Sequence, residues 1–359
     1  MESAYLSADL DPIVSVKLLP DNLDTCRDAL MYSIAIMKAI RIHQHGGAEV
    51  LRYEDAAVPE PGAGEALIEI HVSGVNFVDT YVRSGLYKVP SMPFTPGAEG
   101  AGIVSKLGSG VTDVRVGDRV AYATSLGSYA EFAAVPSWKL ALLPESVDFR
   151  AGAAMMLQGM TAHYLTASTF PLKSGQTALV HAGAGGVGLL LIQIAKKLGA
   201  AVIATAGTSA KAELARGAGA DESIVYSNQD FEAEVKRMTK GAGVDVVYDA
   251  VGAATWEKSL NCLAPRGYLV LYGNASGPVP PFDPLVLMKA SLFVTRPTLV
   301  HYAGNREEVK WRTKDLFGWF AAGELKLKYD HVFPLADAAR AQTELESRRT
   351  TGKVLLQVK

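Results

Sequence analysis

The run Thr177-Ala178-Leu179-Val180-His181-Ala182-Gly183-Ala184-Gly185-Gly186-Val187-Gly188-Leu189-Leu190-Leu191-Ile192 reads as strand, glycine turn and helix without interruption. Gly183, Gly185 and Gly188 fit the spacing Gly-x-Gly-x-x-Gly, in which the first glycine allows a tight turn, the second lets backbone approach a pyrophosphate and the third lets helix pack on strand. The helix expected from Leu189 to Leu198 supplies free N–H groups and a positive dipole end for phosphates. Glycine-rich turns also serve only to reverse a chain. With an apolar strand before it and a helix after it, this one predicts a dinucleotide site.

Outward from this loop, strand and helix alternate from Gln176 to Thr298. Strands are expected at 178–181, 201–206, 223–226, 244–249, 268–272 and 292–295, with helices between them at 210–216, 231–239 and 255–263. Six parallel strands joined by crossover helices make a doubly wound α/β sheet. Gly199, Gly217, Gly241 and Gly267 stand just before strands, where left-handed helix caps are expected.

From Met37 to about Lys139 the chain instead breaks into short alternating runs such as Ala66-Leu67-Ile68-Glu69-Ile70-His71-Val72, separated by Gly and Pro. This is mostly β, and a small barrel lets such strands avoid open edges. Helical periodicity begins near Arg150. The last 60 or so residues return to mixed character, with helices around 307–322 and 335–347 and a strand at 352–358 that rejoins the first half. The division expected is 37–160 with 302–359 as the substrate-handling domain, and 161–301 as the dinucleotide domain.

The chain has 359 residues, 49% of them hydrophobic, which suits two ordinary cores. Lys and Arg number 35 against 37 Asp and Glu, so nothing suggests nucleic acid or an anionic membrane; the partner expected is a small molecule. Cys26 and Cys262 are too few for a disulfide framework and suit a reducing cytoplasm. No stretch approaches the roughly 18 apolar residues of a membrane span. Residues 1–36 carry Glu2, Asp9, Asp11, Asp21, Asp24 and Asp28 against Lys17 and Arg27, and read as neither signal nor transit peptide. They are either a loosely attached extension with a short helix around Thr25 to Ile36, or the product of a start placed ahead of Met37.

The end of the second strand of the dinucleotide unit selects the cofactor, because an acidic residue there bonds the ribose hydroxyls of NAD. Here it reads Thr205-Ala206-Gly207-Thr208-Ser209-Ala210-Lys211, with no carboxylate. Lys211 either meets a 2′-phosphate or is a solvated residue in the first turn of the next helix. The missing acid favours NADPH.

Pro96-Gly97-Ala98-Glu99-Gly100-Ala101-Gly102 resembles the Gly-His-Glu-Gly segment of medium-chain dehydrogenases and reductases, with Ala98 where a zinc ligand would stand. Asn76 stands where the zinc enzymes keep a cysteine, so a catalytic zinc would lack its ligands. No metal site is expected. His43 and His45 share a strand face without further ligands nearby, and no Ser or Cys nucleophile motif is found.

Gly74-Val75-Asn76-Phe77-Val78-Asp79-Thr80-Tyr81-Val82-Arg83-Ser84-Gly85-Leu86-Tyr87 resembles the signature of zinc-independent NADPH:quinone oxidoreductases, the zeta-crystallin-like group. The resemblance runs from about Lys38 to the C-terminus. It implies a GroES-like β-rich barrel domain joined to a Rossmann domain with a doubly wound parallel six-stranded sheet. It also implies a homodimer paired through the edge strand of the nucleotide sheet, here 292–298. Carried over by matching position, Asn76 and Tyr81 would line the nicotinamide side of the cleft as orienting groups, and Thr161 would touch the nicotinamide ribose. Gly185, Gly186 and Val187 would approach the pyrophosphate. Lys211 and Tyr226 would hold the 2′-phosphate and adenosine ribose. Tyr272, Asn274 and Ser276 would close over the cofactor, and Arg348 would reach back to it. Tyr87 and Arg296 are the substrate-pocket candidates; the alternatives are a core position for either tyrosine and a carboxylate partner for Arg296. Asp79 is expected to cap a helix beginning near Thr80.

The activity implied is NADPH-dependent reduction of a quinone, by hydride or single-electron delivery, without metal or covalent intermediate. The alternatives are reduction of an enone or enal double bond, or a non-enzymatic NADPH-binding role of the crystallin-like or RNA-binding kind.

Overall fold

The computed structural model describes residues 35–359 apart from residue 90. The expectations for residues 1–34 therefore lie outside the described residues. Residues 36–359 pack as one unit.

The β-rich half opens with the antiparallel pair β1 (Ile36–Arg41) and β2 (Arg52–Ala57). Its centre is β3 (Glu65–Val75), followed by the short helix α1 (Phe77–Arg83) and strands β4 (Glu99–Leu107), β5 (Arg119–Ala123), β6 (Phe132–Pro136) and β7 (Ala141–Leu142). One edge of β3 pairs with β4; its other edge is shared, residues 65–69 with β6 and residues 72–75 with a strand from the far C-terminus. Ala66, Ile68, Ile70 and Val72 are sealed while Leu67, Glu69 and His71 between them are more exposed, the alternation of a sheet covered on one face. That alternation was legible in the sequence.

The helix α2 (Phe149–Tyr164) is started by Asp148, whose carboxylate accepts from the N–H of Ala151 at 2.7 Å. It touches β3, β4 and β5 as well as the helices of the second half, so it forms a spine shared by both. A π-helical turn over Leu165–Thr169 extends it.

The nucleotide half runs β8 (Thr177–Val180), α3 (Gly186–Lys197), β9 (Ala201–Ala206), α4 (Ser209–Gly217), β10 (Glu222–Val225), α5 (Phe231–Met238), β11 (Val244–Asp249), α6 (Trp256–Asn261), β12 (Leu263–Leu271) and β13 (Phe293–Thr295). All six strands are parallel, in the order β10-β9-β8-β11-β12-β13, as the alternation predicts. Ala178, Leu179 and Val180 on β8 and Val246, Val247 and Tyr248 on β11 are wholly buried, because both faces of a parallel sheet are covered by helices. The order reverses between β8 and β11, which puts the ligand crevice at the carboxyl end of β8.

Two of the four expected glycine caps fall elsewhere. Gly199 and Gly241 take positive φ, but the other reversals fall on Gly219 and Arg266. The last turn of α4 runs through Ala218, which displaces its reversal from Gly217 to Gly219. Gly267 lies within β12, at the bulge against β11, after α6 has already ended.

The chain closes with the turn α7 (Leu299–Tyr302), α8 (Arg306–Ala321), β14 (His331–Pro334), α9 (Ala338–Glu346) and β15 (Val354–Gln357). β15 pairs antiparallel with β3, so the tail does rejoin the β-rich half. β14, parallel to β15, was not anticipated.

Candidate active site

The phosphate loop has the expected form, but α3 begins at Gly186, with Gly185 as its N-cap, rather than at Leu189. The glycines also exchange duties. A Cβ at Gly183 would lie 2.9 Å from the Ala204 Cβ, so Gly183 provides the close packing onto β9. A Cβ at Gly188 would strike the Ala182 carbonyl oxygen at 2.3 Å, so Gly188 lets the helix fold back on the turn. Gly185 has only the Ala182 oxygen within reach, at 3.2 Å, and its open side is where a phosphate can approach. The tight turn is made by Ala182, at φ 54°. Val187 follows on the first turn of α3, half-buried. Beneath the loop, buried His181 joins Thr205 at 2.9 Å through Nδ1 and Ser259 at 2.9 Å through Nε2.

At the far end of β9 the structure brings the other phosphate candidates together. Lys211 Nζ donates to the backbone oxygen of Arg348 at 2.5 Å, and its pKa is lowered by burial and by the neighbouring Arg348 charge. Two cations so close, with no acidic side chain on Thr205–Ser209, make a locus for a phosphate dianion. Tyr226 lies against the end of β9, where a Cβ at Gly207 would lie 2.8 Å from its hydroxyl.

The nicotinamide-side candidates line the mouth of the crevice. The Tyr81 hydroxyl accepts from the N–H of Asn274 at 3.0 Å, across a cleft of about 240 Å³ bounded by Phe77, Thr80, Ser84, Ala275 and Glu346. Burial pushes the Tyr81 pKa up to about 12. Tyr87 packs edge-on to Tyr81 at 5.4 Å and takes a hydrogen bond from Arg296 at 3.3 Å. Arg296 donates also to the Leu271 carbonyl at 2.7 Å, and the Asn274 amide oxygen, in the orientation that satisfies both its ends, accepts from Arg296 at 3.0 Å. So Arg296 has carbonyl and hydroxyl partners rather than a carboxylate. Ser276 is engaged within its own loop, donating to the Val251 oxygen at 2.8 Å and accepting from the Ala254 N–H at 3.0 Å. Tyr272 buries its hydroxyl without a partner, and its pKa is raised well above the ordinary value by burial. Thr161 is buried on α2.

Asn76 is held by a network that sequence reading missed. Its amide oxygen accepts from the Lys353 ammonium at 2.8 Å, and its Nδ2 donates to Glu99 at 2.9 Å. Lys353 and Glu99 form a sealed ion pair, and the other Glu99 oxygen accepts from the N–H of Leu157 at 2.5 Å. Gly352, next to Lys353, donates to the Ala184 carbonyl at 3.0 Å, so one segment clips the phosphate loop and the Asn76 network together. Glu99 was visible in the Gly-Ala-Glu-Gly run, but nothing near it announced a lysine 254 positions away.

Asp79 does not cap a helix from Thr80. α1 starts at Phe77 with Asn76 as N-cap, and Asp79 at its third position accepts from the Asn76 N–H at 2.8 Å and from the Tyr129 hydroxyl at 3.0 Å. Burial raises its pKa to about 7. His43 and His45 lie beyond the end of β1, on no common strand; one meets Glu54 and the other the Arg83 carbonyl.

The residues present do not fit a catalytic zinc. Asn76 is engaged by an ammonium, Ala98 carries no donor, and the Lys353 charge would repel a dication at that point. Among the described residues no cluster of three or more His, Cys, Asp or Glu side chains could hold a metal ion. They do fit a dinucleotide phosphate, through the open side of Gly185 and the Lys211–Arg348 pair.

Residues 62–145 match the alcohol dehydrogenase GroES-like domain, and residues 186–315 match the zinc-binding dehydrogenase family. The chain is 48% identical to the quinone oxidoreductase of Pseudomonas aeruginosa over 321 residues, 89% of this chain and 99% of that one. A crystal structure of Escherichia coli quinone oxidoreductase complexed with NADPH superposes with a TM-score of 0.88 at 45% identity, covering 89% of this chain and all of that one. A 2-haloacrylate reductase from Burkholderia sp. is 41% identical over 329 residues, 89% of this chain and 98% of that relative. The chain belongs to the medium-chain dehydrogenase/reductase superfamily and, within it, to the quinone oxidoreductases.

Proposed function

We propose that the protein reduces quinones with NADPH, without a metal, in the cleft between the GroES-like half (37–160 and 302–359) and the Rossmann half (161–301). The observation that carries this is the meeting of Tyr81, Asn274, Tyr87 and Arg296 at the crevice mouth, in a fold whose phosphate loop and Lys211–Arg348 pair suit a dinucleotide with a 2′-phosphate. Bound NADPH supplies the hydride or single electron. The open Gly185, with Gly183, Gly186, Val187 and Gly188 shaping the turn, receives the pyrophosphate; Lys211, Arg348 and Tyr226 receive the adenosine end. Thr161, Tyr272 and Ser276 shape the wall behind the nicotinamide, and Asn76, braced by Lys353 and Glu99, has one amide hydrogen left for it.

Because the Asn274 N–H occupies a lone pair of the Tyr81 oxygen, the Tyr81 O–H is free to donate to an acceptor carbonyl. With its pKa near 12 it keeps its proton at neutral pH. It therefore stabilises developing negative charge without being consumed. A reduced quinone is itself a stabilised anion, so no stronger acid is required.

The edge strand β13 supports a homodimer, since it pairs on one side only with β12, carries exposed Phe293, and follows a turn that exposes Leu285 and Met288. A cytoplasmic location is supported only by the scarcity of cysteine, two in 359 residues, with Cys262 buried and free. No helix among the described residues is long and apolar enough to cross a membrane.

The relative that is a 2-haloacrylate reductase keeps double-bond reduction as the competing activity. Consumption of NADPH and NADH with para-benzoquinone, ortho-naphthoquinone, a short enone and 2-chloroacrylate separates the two. Turnover with quinones and NADPH is expected; turnover with the enone or the haloacrylate alone would overturn the quinone reading.

A further inference from the structure

Arg83, near the end of the Asn76–Tyr87 segment, takes no part in the chemistry above, yet it is only 4% exposed. All three of its guanidinium nitrogens are engaged: Nε donates to the Gly46 carbonyl at 3.2 Å, Nη1 to Gln342 at 2.5 Å, and Nη2 to the Glu346 carboxylate at 2.8 and 3.1 Å. Glu346 is the last residue of α9, two positions before Arg348. Arg348 takes a left-handed conformation, φ 59°, and its carbonyl receives the Lys211 ammonium. Four residues further on, Gly352 is bonded to the Ala184 carbonyl of the phosphate loop. The stretch from 346 to 352 is thus tied at both ends and lies along the nucleotide half, and the Arg83–Glu346 pair is its anchor on the β-rich side.

We propose that Arg83 and Glu346 act as positioning residues for NADPH over NADH, fixing the end of α9 so that Arg348 and Lys211 converge on the 2′-phosphate. This rests on the assignment of Lys211 and Arg348 to that phosphate. A strained left-handed arginine keeps its place only where its flanks are held, and Glu346 is the nearer flank. The buried guanidinium of Arg83 needs its carboxylate partner, and that need holds Glu346 in place although Glu346 itself reaches solvent.

The sign of the effect distinguishes positioning from a simple field. If charge alone mattered, removing the Glu346 carboxylate would tighten the binding of a phosphate dianion, and removing Arg83 would weaken it. Positioning requires both to weaken it. The test is titration of NADPH and NADH into wild type, Arg83→Ala, Glu346→Ala and Lys211→Ala, and into each of the first two combined with Lys211→Ala. Roughly 5- to 30-fold weaker NADPH binding is expected for both single variants, with NADH changed by no more than about twofold and a smaller further loss, that of Arg348 alone, in the Lys211→Ala background. If Arg83→Ala does not fold, Glu346→Ala decides, since that side chain is 38% exposed and ends a helix. Unchanged or tighter NADPH binding by Glu346→Ala, or equal losses for both nucleotides, would overturn the positioning role. If Lys211→Ala weakens NADPH and NADH binding equally, the phosphate assignment falls and the positioning role with it. A selective loss of NADPH binding in Lys211→Ala without one in Glu346→Ala removes the positioning role only.

Discussion

The N–H of Asn274 donates to the hydroxyl of Tyr81 at 3.0 Å, joining the loop after β12 to the first helix of the β-rich half. This leaves the Tyr81 hydrogen for the acceptor. Tyr81→Phe should lower kcat/KM for quinone about 5- to 10-fold, the worth of one hydrogen bond, while NADPH binding changes little. Because the Tyr81 pKa is near 12, the wild-type pH profile between pH 6 and 9 should keep its shape in the variant. A limb in that range that disappears with the hydroxyl would contradict the donor role.

The glycines separate folding from binding. Gly185→Ala places a methyl on the open side of the loop, where only the Ala182 oxygen is near. Its stability should stay within about 1 kcal/mol of wild type while NADPH affinity falls at least about 10-fold. Gly188→Ala instead drives a methyl into the Ala182 backbone and should cost about 1–3 kcal/mol in urea unfolding. The reverse ranking would show that the duties assigned to these glycines are wrong.

Lys353→Met leaves the Glu99 carboxylate buried without its cation, and loss of about 3–5 kcal/mol is expected. Combining it with Glu99→Gln should recover part of that loss. Additive losses, measured by urea unfolding, would mean that the two side chains are not coupled.

Asp79 gives the protein an acid-side gain in stability. Its folded pKa is about 7, above the ordinary 3.8, so between these values the folded state binds more protons than the unfolded one. Stability from this group is then full below about pH 4 and falls as pH rises toward 7. Asp79→Asn should remove that slope, gaining about 2–4 kcal/mol relative to wild type between pH 4.5 and 8. A difference between the two proteins that does not change with pH would refute the raised pKa.

Much of the fold was legible because it rests on local pattern. The apolar run of β8, the glycines after it and the alternation of strand and helix announce a Rossmann sheet, and the lack of an acid after β9 points to Lys211. What could not be read depends on contacts between distant segments. Lys353 looks like an ordinary lysine opening a strand until β15 pairs with β3 and carries it to Glu99. Arg83 meets Glu346 across 263 positions. The glycine duties were misassigned for a related reason: spacing shows where glycine is needed, but the neighbour that a Cβ would strike belongs to β9 or to the turn itself.

The central claim is metal-free quinone reduction from NADPH. It is tested most directly by following NADPH oxidation with para-benzoquinone after exhaustive dialysis against a chelator, with NADH in parallel. Undiminished turnover with NADPH, and turnover at least about 10-fold lower in kcat/KM with NADH, is the result predicted. Activity that is lost on dialysis and restored by zinc, or no quinone turnover at all, would contradict it.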